Sequence, residues 1–142
     1  MTSISFYTHA PDKLSIARQL VAKAWGQKLN VLVYAPDEAT AASFDRLLWT
    51  QPALSFVPHC RDSSPLAAST PVIIGENADA LPSADVLINL GNEPPPVFSR
   101  FERLMEIVTE DEDDVLKGRQ RYRFYKDRGY ELLDHDMRKR GE

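Results

Sequence analysis

Residues 29–35 read Leu-Asn-Val-Leu-Val-Tyr-Ala, a short run that is apolar almost throughout. Two similar runs follow, Pro-Val-Ile-Ile-Gly at 71–75 and Asp-Val-Leu-Ile-Asn-Leu at 85–90. A strand with one solvated face alternates polar and apolar residues, whereas a strand covered on both faces is apolar at successive positions. The three runs therefore predict the inner strands of a mainly parallel sheet.

Helical patterns separate these strands. A strand at 4–9 precedes a helix at 13–27, and Asp37 is placed to cap a second helix that ends near Leu48. The remaining segments are, in order, a polar loop at 60–70, a short helix at 97–100, a strand at 103–108, a helix at 111–128 and a solvated, flexible tail at about 131–142. Alternating strands and helices predict one α/β domain of three layers, spanning residues 1–142.

The predicted fold is Rossmann-like, but a nucleotide site is not expected. Nucleotide-binding turns need glycines so that the backbone can approach the phosphates. The first strand-to-helix turn, residues 6–13, reads Phe-Tyr-Thr-His-Ala-Pro-Asp-Lys and contains no glycine. The six glycines of the chain form neither a Gly-x-Gly-x-x-Gly motif nor a phosphate loop. No cofactor is predicted.

Catalytic and metal sites are equally poorly supported by the sequence. Cys60 is the only cysteine, and it directly follows His59, so the two side chains are expected to diverge. One cysteine and three scattered histidines, His9, His59 and His135, do not have the spacing of zinc ligands, so no zinc site is predicted. A single cysteine, no recognisable signal peptide and no apolar run near the roughly 20 residues of a membrane span predict a cytoplasmic protein.

Charge is concentrated near the C-terminus. Residues 110–114 are all acidic, which suits the start of a helix. Six basic residues follow within twelve positions: Lys117, Arg119, Arg121, Arg123, Lys126 and Arg128. The whole chain has a net charge of −4, so this local positive segment indicates an anionic partner.

A helical projection divides the basic segment into two stripes. The predicted docking face carries Val115, Gly118, Tyr122 and Tyr125. One flank of that face carries Arg119, Arg123 and Lys126, and the far side carries Lys117, Arg121 and Arg128 beside Phe124. An arginine beside a tyrosine and an apolar floor suits a peptide carboxylate better than duplex DNA. A solvated helix whose charges only maintain solubility is the alternative.

A second cluster, Leu48-Trp49-Thr50-Gln51-Pro52 and Ser55-Phe56-Val57-Pro58-His59, combines aromatic residues with prolines. It is either the edge of the core or a surface for a protein partner.

At these two segments the chain resembles the chi subunit of bacterial DNA polymerase III. The similarity rests on Leu48-Trp49 with Pro52, on Phe56-Val57-Pro58-His59, and on the pattern Arg119-x-Arg121-Tyr122-Arg123-x-Tyr125-Lys126-x-x-Gly129-Tyr130. Ser5-Phe6-Tyr7 and the overall length also fit. The resemblance implies a non-catalytic accessory protein that connects the clamp loader, through the psi subunit, to the C-terminal tail of single-stranded-DNA-binding protein. That tail is acidic and ends in a phenylalanine carboxylate.

The resemblance also implies which residues bind each partner. The tail site corresponds to Val108, Arg119, Tyr122, Arg123 and Lys126. Val115 stands where the family has a further basic residue, and Lys117, about half a turn on, is its candidate replacement. The psi-facing surface corresponds to Trp49, Pro52, Phe56, Val57 and Pro58. Two other hypotheses remain open: a small α/β nucleotide-binding protein or enzyme acting near His9 and Cys60, and a module that binds single-stranded DNA directly.

Overall fold

The computed structural model describes residues 2–50, 57–77 and 85–139. The strands of this part of the chain are β1 (Ser3–Ala10), β2 (Val31–Tyr34), β3 (His59–Arg61), β4 (Val72–Gly75), β5 (Val86–Asn89), β6 (Arg103–Thr109) and β7 (Leu132–Asp136). The α-helices are α1 (Lys13–Gly26), α2 (Glu38–Thr50) and α3 (Glu112–Asp127), and single 3-10 turns occupy Ala67–Ser69, Phe98–Arg100 and Met137–Lys139. The described strands form one parallel sheet in the order β3-β4-β2-β5-β6-β1-β7, which confirms the predicted α/β class.

The three apolar runs form the middle of this sheet. Val31 of β2 is aligned with Val72 of β4 on one side and with Val86 of β5 on the other. All three side chains are fully buried. Burial of a valine, leucine or isoleucine side chain contributes about 1.5–3 kcal/mol, so these strands supply much of the stability of the core.

Helices cover both faces of the sheet. Asp37 caps α2, as predicted, by accepting a hydrogen bond from the Thr40 amide at 3.1 Å. Asp12, which was not predicted as a cap, caps α1 by accepting a hydrogen bond from the Ser15 amide at 2.9 Å. Residues of α1 and α2 pack into the core cluster on one face, including Leu20 and Phe44. Residues of α3 pack into the cluster on the other face, including Tyr125. This arrangement is the predicted three-layer domain.

Two edge strands were not predicted. Residues 60–70 were expected to form a polar loop, but His59–Arg61 form β3, which pairs with β4. The tail was expected to be frayed from 131 onward, but Leu132–Asp136 form β7, which pairs with β1. Strand β7 forms because the open edge of β1 supplies backbone hydrogen-bond partners to a segment that has little strand character of its own. The ring of His135 also stacks on Tyr7, with centroids 4.6 Å apart.

The predicted acidic start of α3 is confirmed. Asp111 is the N-cap and accepts a hydrogen bond from the Asp114 amide at 3.1 Å. Asp114 itself accepts hydrogen bonds from the amide and hydroxyl of Thr109, at 2.8 and 3.0 Å, and forms an ion pair with Lys13 of α1 at 3.1 Å. These contacts fix the position at which α3 leaves the sheet.

Candidate functional site

The buried face of α3 consists of Gly118, Arg121 and Tyr125. Arg121 was predicted to lie on the far side of the helix, away from the docking face, and that prediction is wrong, because its side chain is only 1% exposed and pairs with Glu106 of β6. Its Nε donates to Oε1 of Glu106 at 2.9 Å, and its Nη1 donates to the carbonyl of Asn92 at 3.0 Å. The buried carboxylate on β6 therefore accounts for an arginine on the sheet-facing side of the helix.

Glu106 is the centre of a buried polar network. Its Oε2 accepts a hydrogen bond from the Tyr125 hydroxyl at 2.5 Å. The side-chain amide of Asn89, at the end of β5, donates to both carboxylate oxygens at 3.1 and 3.0 Å. A buried charge is tolerated when it is paired and its lone pairs are satisfied, and Glu106 meets both conditions. The network connects α3 to β6 and β5.

The network also influences the ionisation of its members. Burial raises the pKa of Glu106 above its usual range, and the Arg121 charge and the hydrogen bonds from Tyr125 and Asn89 oppose this shift. The pKa of Tyr125 is raised as well, first by burial and then by the neighbouring Glu106 carboxylate. Tyr125 therefore remains a neutral hydrogen-bond donor to Glu106 at physiological pH.

Gly118 lets α3 approach β6 closely. A Cβ atom at this position would lie 2.7 Å from Cγ2 of Val108, a distance that real Cβ contacts do not reach. The helix backbone therefore rests on Val108. This close approach sets one wall of the neighbouring pocket.

A pocket of about 280 Å³ lies between α3 and strands β1, β6 and β7, and we call it the α3 pocket. It is lined by Phe6, Thr8, His9, Val108, Thr109, Val115, Gly118, Arg119, Tyr122 and Asp134. The ring of Tyr122 packs on Phe6 with centroids 5.1 Å apart, which gives the pocket an aromatic floor. Three residues that the sequence assigned to the tail site thus meet in one pocket: Val108, Arg119 and Tyr122.

Arg119, Arg123 and Lys126 form the basic flank of α3. All three are exposed. Within residues 2–50, 57–77 and 85–139, no ion pair involves any of them. Arg119 lines the α3 pocket, and Arg123 and Lys126 continue along the helix beyond it. The flank presents positive charge, without an ion pair in those ranges, beside a pocket whose floor is aromatic.

Lys117 lies apart from this pocket. Its Nζ is 3.4 Å from Oδ2 of Asp113, and it lines a different groove with Tyr34, Pro36, Gln120 and the loop at 91–96. The structure therefore does not bring Lys117 together with Arg119 and Tyr122.

The other predicted surface centres on Trp49 at the end of α2. Trp49 is 61% exposed, and its ring meets the ring of His59 edge-on, with centroids 4.9 Å apart. His59 is buried; its Nδ1 donates to the Val57 carbonyl at 2.8 Å, and its Nε2 lies 3.4 Å from Oδ1 of Asp45. Val57 is buried and Pro58 half-buried. Pro52 and Phe56, also predicted for this surface, lie outside the described residues.

Comparison with known proteins identifies the family. The model of the DNA polymerase III chi subunit, HolC, matches residues 1–133. The chain belongs to this family. The DNA polymerase III subunit chi of Pseudomonas aeruginosa is 33% identical over 141 residues, covering 96% of this chain and 98% of the relative. That of Escherichia coli strain K12 is 31% identical over 126 residues, covering 85% of this chain and 86% of the relative.

The Haemophilus influenzae DNA polymerase III subunit chi is 30% identical over 123 residues, covering 86% of this chain and 85% of the relative. The matches extend over most of the domain, so the resemblance inferred from the two motifs is confirmed. The relatives are named as subunits of a DNA polymerase, which assigns the family to DNA replication.

The hypothesis of a catalytic site near His9 and Cys60 gains no geometric support. Cys60 packs against the core cluster on the α3 side of the sheet, whereas the ring of its neighbour His59 meets Trp49 of α2 on the other side. Across the described ranges, no three His, Cys, Asp or Glu side chains are grouped so that they could hold a metal ion. No helix in those ranges is long and apolar enough to cross a membrane.

Sequence reasoning missed three residues of the site. Glu106 had a signal, because it is a lone carboxylate within an otherwise apolar strand, Leu-Met-Glu-Ile-Val. No sequence signal indicated Asp134, since it reaches the pocket only through the unpredicted pairing of β7 with β1. His9 was noted at the end of a strand but was not connected with α3.

Proposed function

We propose that this protein is a non-catalytic adaptor of the DNA polymerase III holoenzyme. In this role, the α3 pocket binds the acidic C-terminal tail of single-stranded-DNA-binding protein, and the Trp49 surface contacts the psi subunit of the clamp loader. The protein thereby reaches DNA only indirectly, through the protein that coats it. The observation that carries the proposal is the meeting of Val108, Tyr122 and Arg119 in one pocket.

The chemistry of the pocket suits the end of such a tail. A terminal phenylalanine ring fits the apolar part, where Val108 and Tyr122 lie beside Phe6. Arg119, at the rim, is free to bind a carboxylate through two parallel hydrogen bonds, a geometry for which guanidinium is well suited. Arg123 and Lys126 lie farther along the basic flank, where acidic residues that precede the terminal phenylalanine would pass.

The expected affinity is modest. Each charge-assisted hydrogen bond contributes about 1.5–3 kcal/mol, and ordering a flexible tail offsets part of this gain. A few such contacts correspond to dissociation constants near the micromolar range. Because the basic flank is exposed, added salt weakens the interaction.

The psi-facing surface has a different chemistry. Trp49 exposes most of a large aromatic side chain, and tryptophan is among the residues that most often dominate the energetics of protein interfaces. It rests on the buried His59, which limits the conformations of the indole and lowers the entropic cost of binding. The two proposed surfaces thus use different elements, α2 with β3 for one partner and α3 with the edge of the sheet for the other.

Titration with a fluorescent peptide tests the tail site. The probe carries several aspartates and ends in phenylalanine with a free carboxylate. We expect Arg119→Ala to weaken binding about tenfold or more, the loss of one charge-assisted contact. Arg128→Ala is the matched control, because Arg128 follows the same helix but stacks on Phe124, with its guanidinium carbon 3.5 Å from the ring centroid. Equal affinities for wild type and Arg119→Ala would rule out the assignment.

Two further measurements distinguish the adaptor function from the alternative functions. Trp49→Ala is expected to leave peptide binding unchanged while it abolishes co-purification with a psi subunit. An oligonucleotide alone is expected to bind weakly and without dependence on Arg119. Tight oligonucleotide binding would instead favour the direct DNA-binding hypothesis, and stabilisation by ATP or NAD in a thermal-shift assay would favour a nucleotide-binding protein.

A further inference from the structure

His9 occupies an irregular position near the end of β1. Its φ is 55°, in the left-handed region that residues other than glycine seldom adopt, although histidine is among those enriched there. The pairing of β1 with β6 also shifts at this point. Tyr7 is aligned with Ile107 and Ala10 with Thr109, so three steps along β1 match two steps along β6. The extra residue makes this a bulge-like irregularity.

The irregularity changes where the imidazole points. Successive side chains of a regular strand face opposite sides of the sheet. Phe6 and Thr8 line the α3 pocket, so in a regular strand His9 would face α1 instead. His9 nevertheless lines the α3 pocket together with them. Bulges commonly re-aim a side chain next to a functional site, and a strained backbone is most often retained at such sites.

Acidic groups surround the imidazole. Its Nδ1 lies 4.0 Å from Oε2 of Glu110, and the two side chains are 38% and 62% exposed. Asp134 on β7 and Arg119 on α3 line the same pocket as His9. Asp136 on β7 is close enough for its charge to interact with His9, and its carboxylate accepts hydrogen bonds from Arg138 in the last 3-10 turn. The pKa of Asp136 is lowered to about 2, chiefly by its hydrogen bond from Arg138 and to a smaller extent by His9.

These charges present a difficulty for an anionic ligand. Asp134 lines the α3 pocket itself, and Glu110 lies next to His9 at its rim. Both carboxylates repel a peptide carboxylate. Of the residues that line the pocket, Arg119 carries a permanent positive charge. A second positive charge at this rim would offset the repulsion.

We propose that His9 is a specificity-determining residue of the α3 pocket, and that its imidazolium form favours an acidic peptide by neutralising the Glu110 side of the rim and contacting a peptide carboxylate. This inference rests on the proposed function. Imidazole is the side chain that ordinarily changes its charge between about pH 5 and 8. Binding of the acidic peptide therefore tightens as the pH falls through that range.

The test is the same fluorescent peptide titrated at about pH 6 and about pH 8, a range in which aspartate and terminal carboxylates stay ionised. We expect wild type to bind about 2- to 10-fold more tightly at the lower pH, as for one partly exposed charge contact. His9→Asn removes the titrating group but tolerates the left-handed backbone, so we expect its affinity to be independent of pH.

The chain has three histidines, and His59 is buried on β3 at the opposite edge of the sheet. His135→Asn is therefore the matched control. His135 stacks on Tyr7 and does not line the α3 pocket, so this variant is expected to keep the pH dependence of wild type. A pH dependence that persists in His9→Asn overturns the inference. If Arg119→Ala still weakens binding in that case, the proposed function stands. A peptide that binds at neither pH overturns both.

Discussion

Arg119 and Arg121 are two residues apart on the same helix, yet their environments are opposite. Arg121 is buried and paired with Glu106, whereas Arg119 is exposed beside an apolar pocket and unpaired within the described ranges. A separation of two residues rotates a helical side chain by about 200°, which accounts for the different faces. The comparison separates an arginine that holds the helix in place from an arginine that is available to a ligand.

The largest effect is expected from breaking the buried pair. Arg121→Met keeps most of the side-chain volume but leaves the Glu106 carboxylate buried without its cation. We expect the free energy of unfolding to fall by about 3–5 kcal/mol, as for other buried pairs that lose one partner. Urea denaturation measures this loss. Arg119→Met is the control and should change stability by less than about 0.5 kcal/mol. Similar losses in the two variants would contradict the contrast between the two arginines.

A smaller effect is expected at the contact between α3 and β6. Gly118→Ala improves helix propensity by up to about 1 kcal/mol, but its methyl group would lie 2.7 Å from Cγ2 of Val108. We expect a net loss of about 1–3 kcal/mol, because the helix must move away from the sheet, and weaker peptide binding as the pocket wall shifts.

Gly26→Ala is the matched control for that substitution, since its added Cβ meets no atom within 4 Å beyond its chain neighbours and the backbone of its own helix. Thermal unfolding should show a neutral or slightly stabilising effect for Gly26→Ala. Stabilisation of Gly118→Ala by the same amount would contradict the close approach of α3 to Val108.

The smallest effect concerns the start of α3. Burial acts to raise the pKa of Asp114, but the hydrogen bonds from Thr109 and the Lys13 charge outweigh it and hold the pKa below its usual value. A lowered folded-state pKa stabilises the protein above the unfolded pKa of about 4, and this stabilisation is lost as the pH falls through the folded-state pKa. We expect Asp114→Asn to cost about 1 kcal/mol at neutral pH.

The pH dependence of that cost is the check. Urea titrations of wild type and Asp114→Asn should give curves that converge as the pH falls well below the unfolded pKa of aspartate, because protonated Asp114 loses the ionic interactions that asparagine also lacks. A difference that persists undiminished in acid would mean that the ionised carboxylate contributes little.

The inner part of the fold could be predicted from the sequence because its signals are local. The Val-Leu-Val-Tyr run, the cap at Asp37 and the acidic start of α3 each specify an element without reference to the rest of the chain. Edge strands β3 and β7 carry no such signal, because each owes its structure to a neighbouring strand with an open edge. Their prediction required the sheet order, which the local sequence does not contain.

The candidate site divides in the same way. The family motif and the helical projection identified Arg119 and Tyr122 together, since both depend only on positions along one helix. Arg121 was grouped with Lys117 and Arg128 on the far side, and its actual partner, Glu106, belongs to a different element. His9 reaches the pocket only through a backbone irregularity, which the residue types do not reveal.

The central claim is that the basic flank and the α3 pocket together bind an acidic peptide tail. Its most direct test is a nuclear magnetic resonance titration of the isotope-labelled protein with the unlabelled peptide. The account predicts that the largest chemical-shift changes occur at Val108, Arg119 and Tyr122. Changes centred on Lys117 and its groove, or on Trp49, would contradict it.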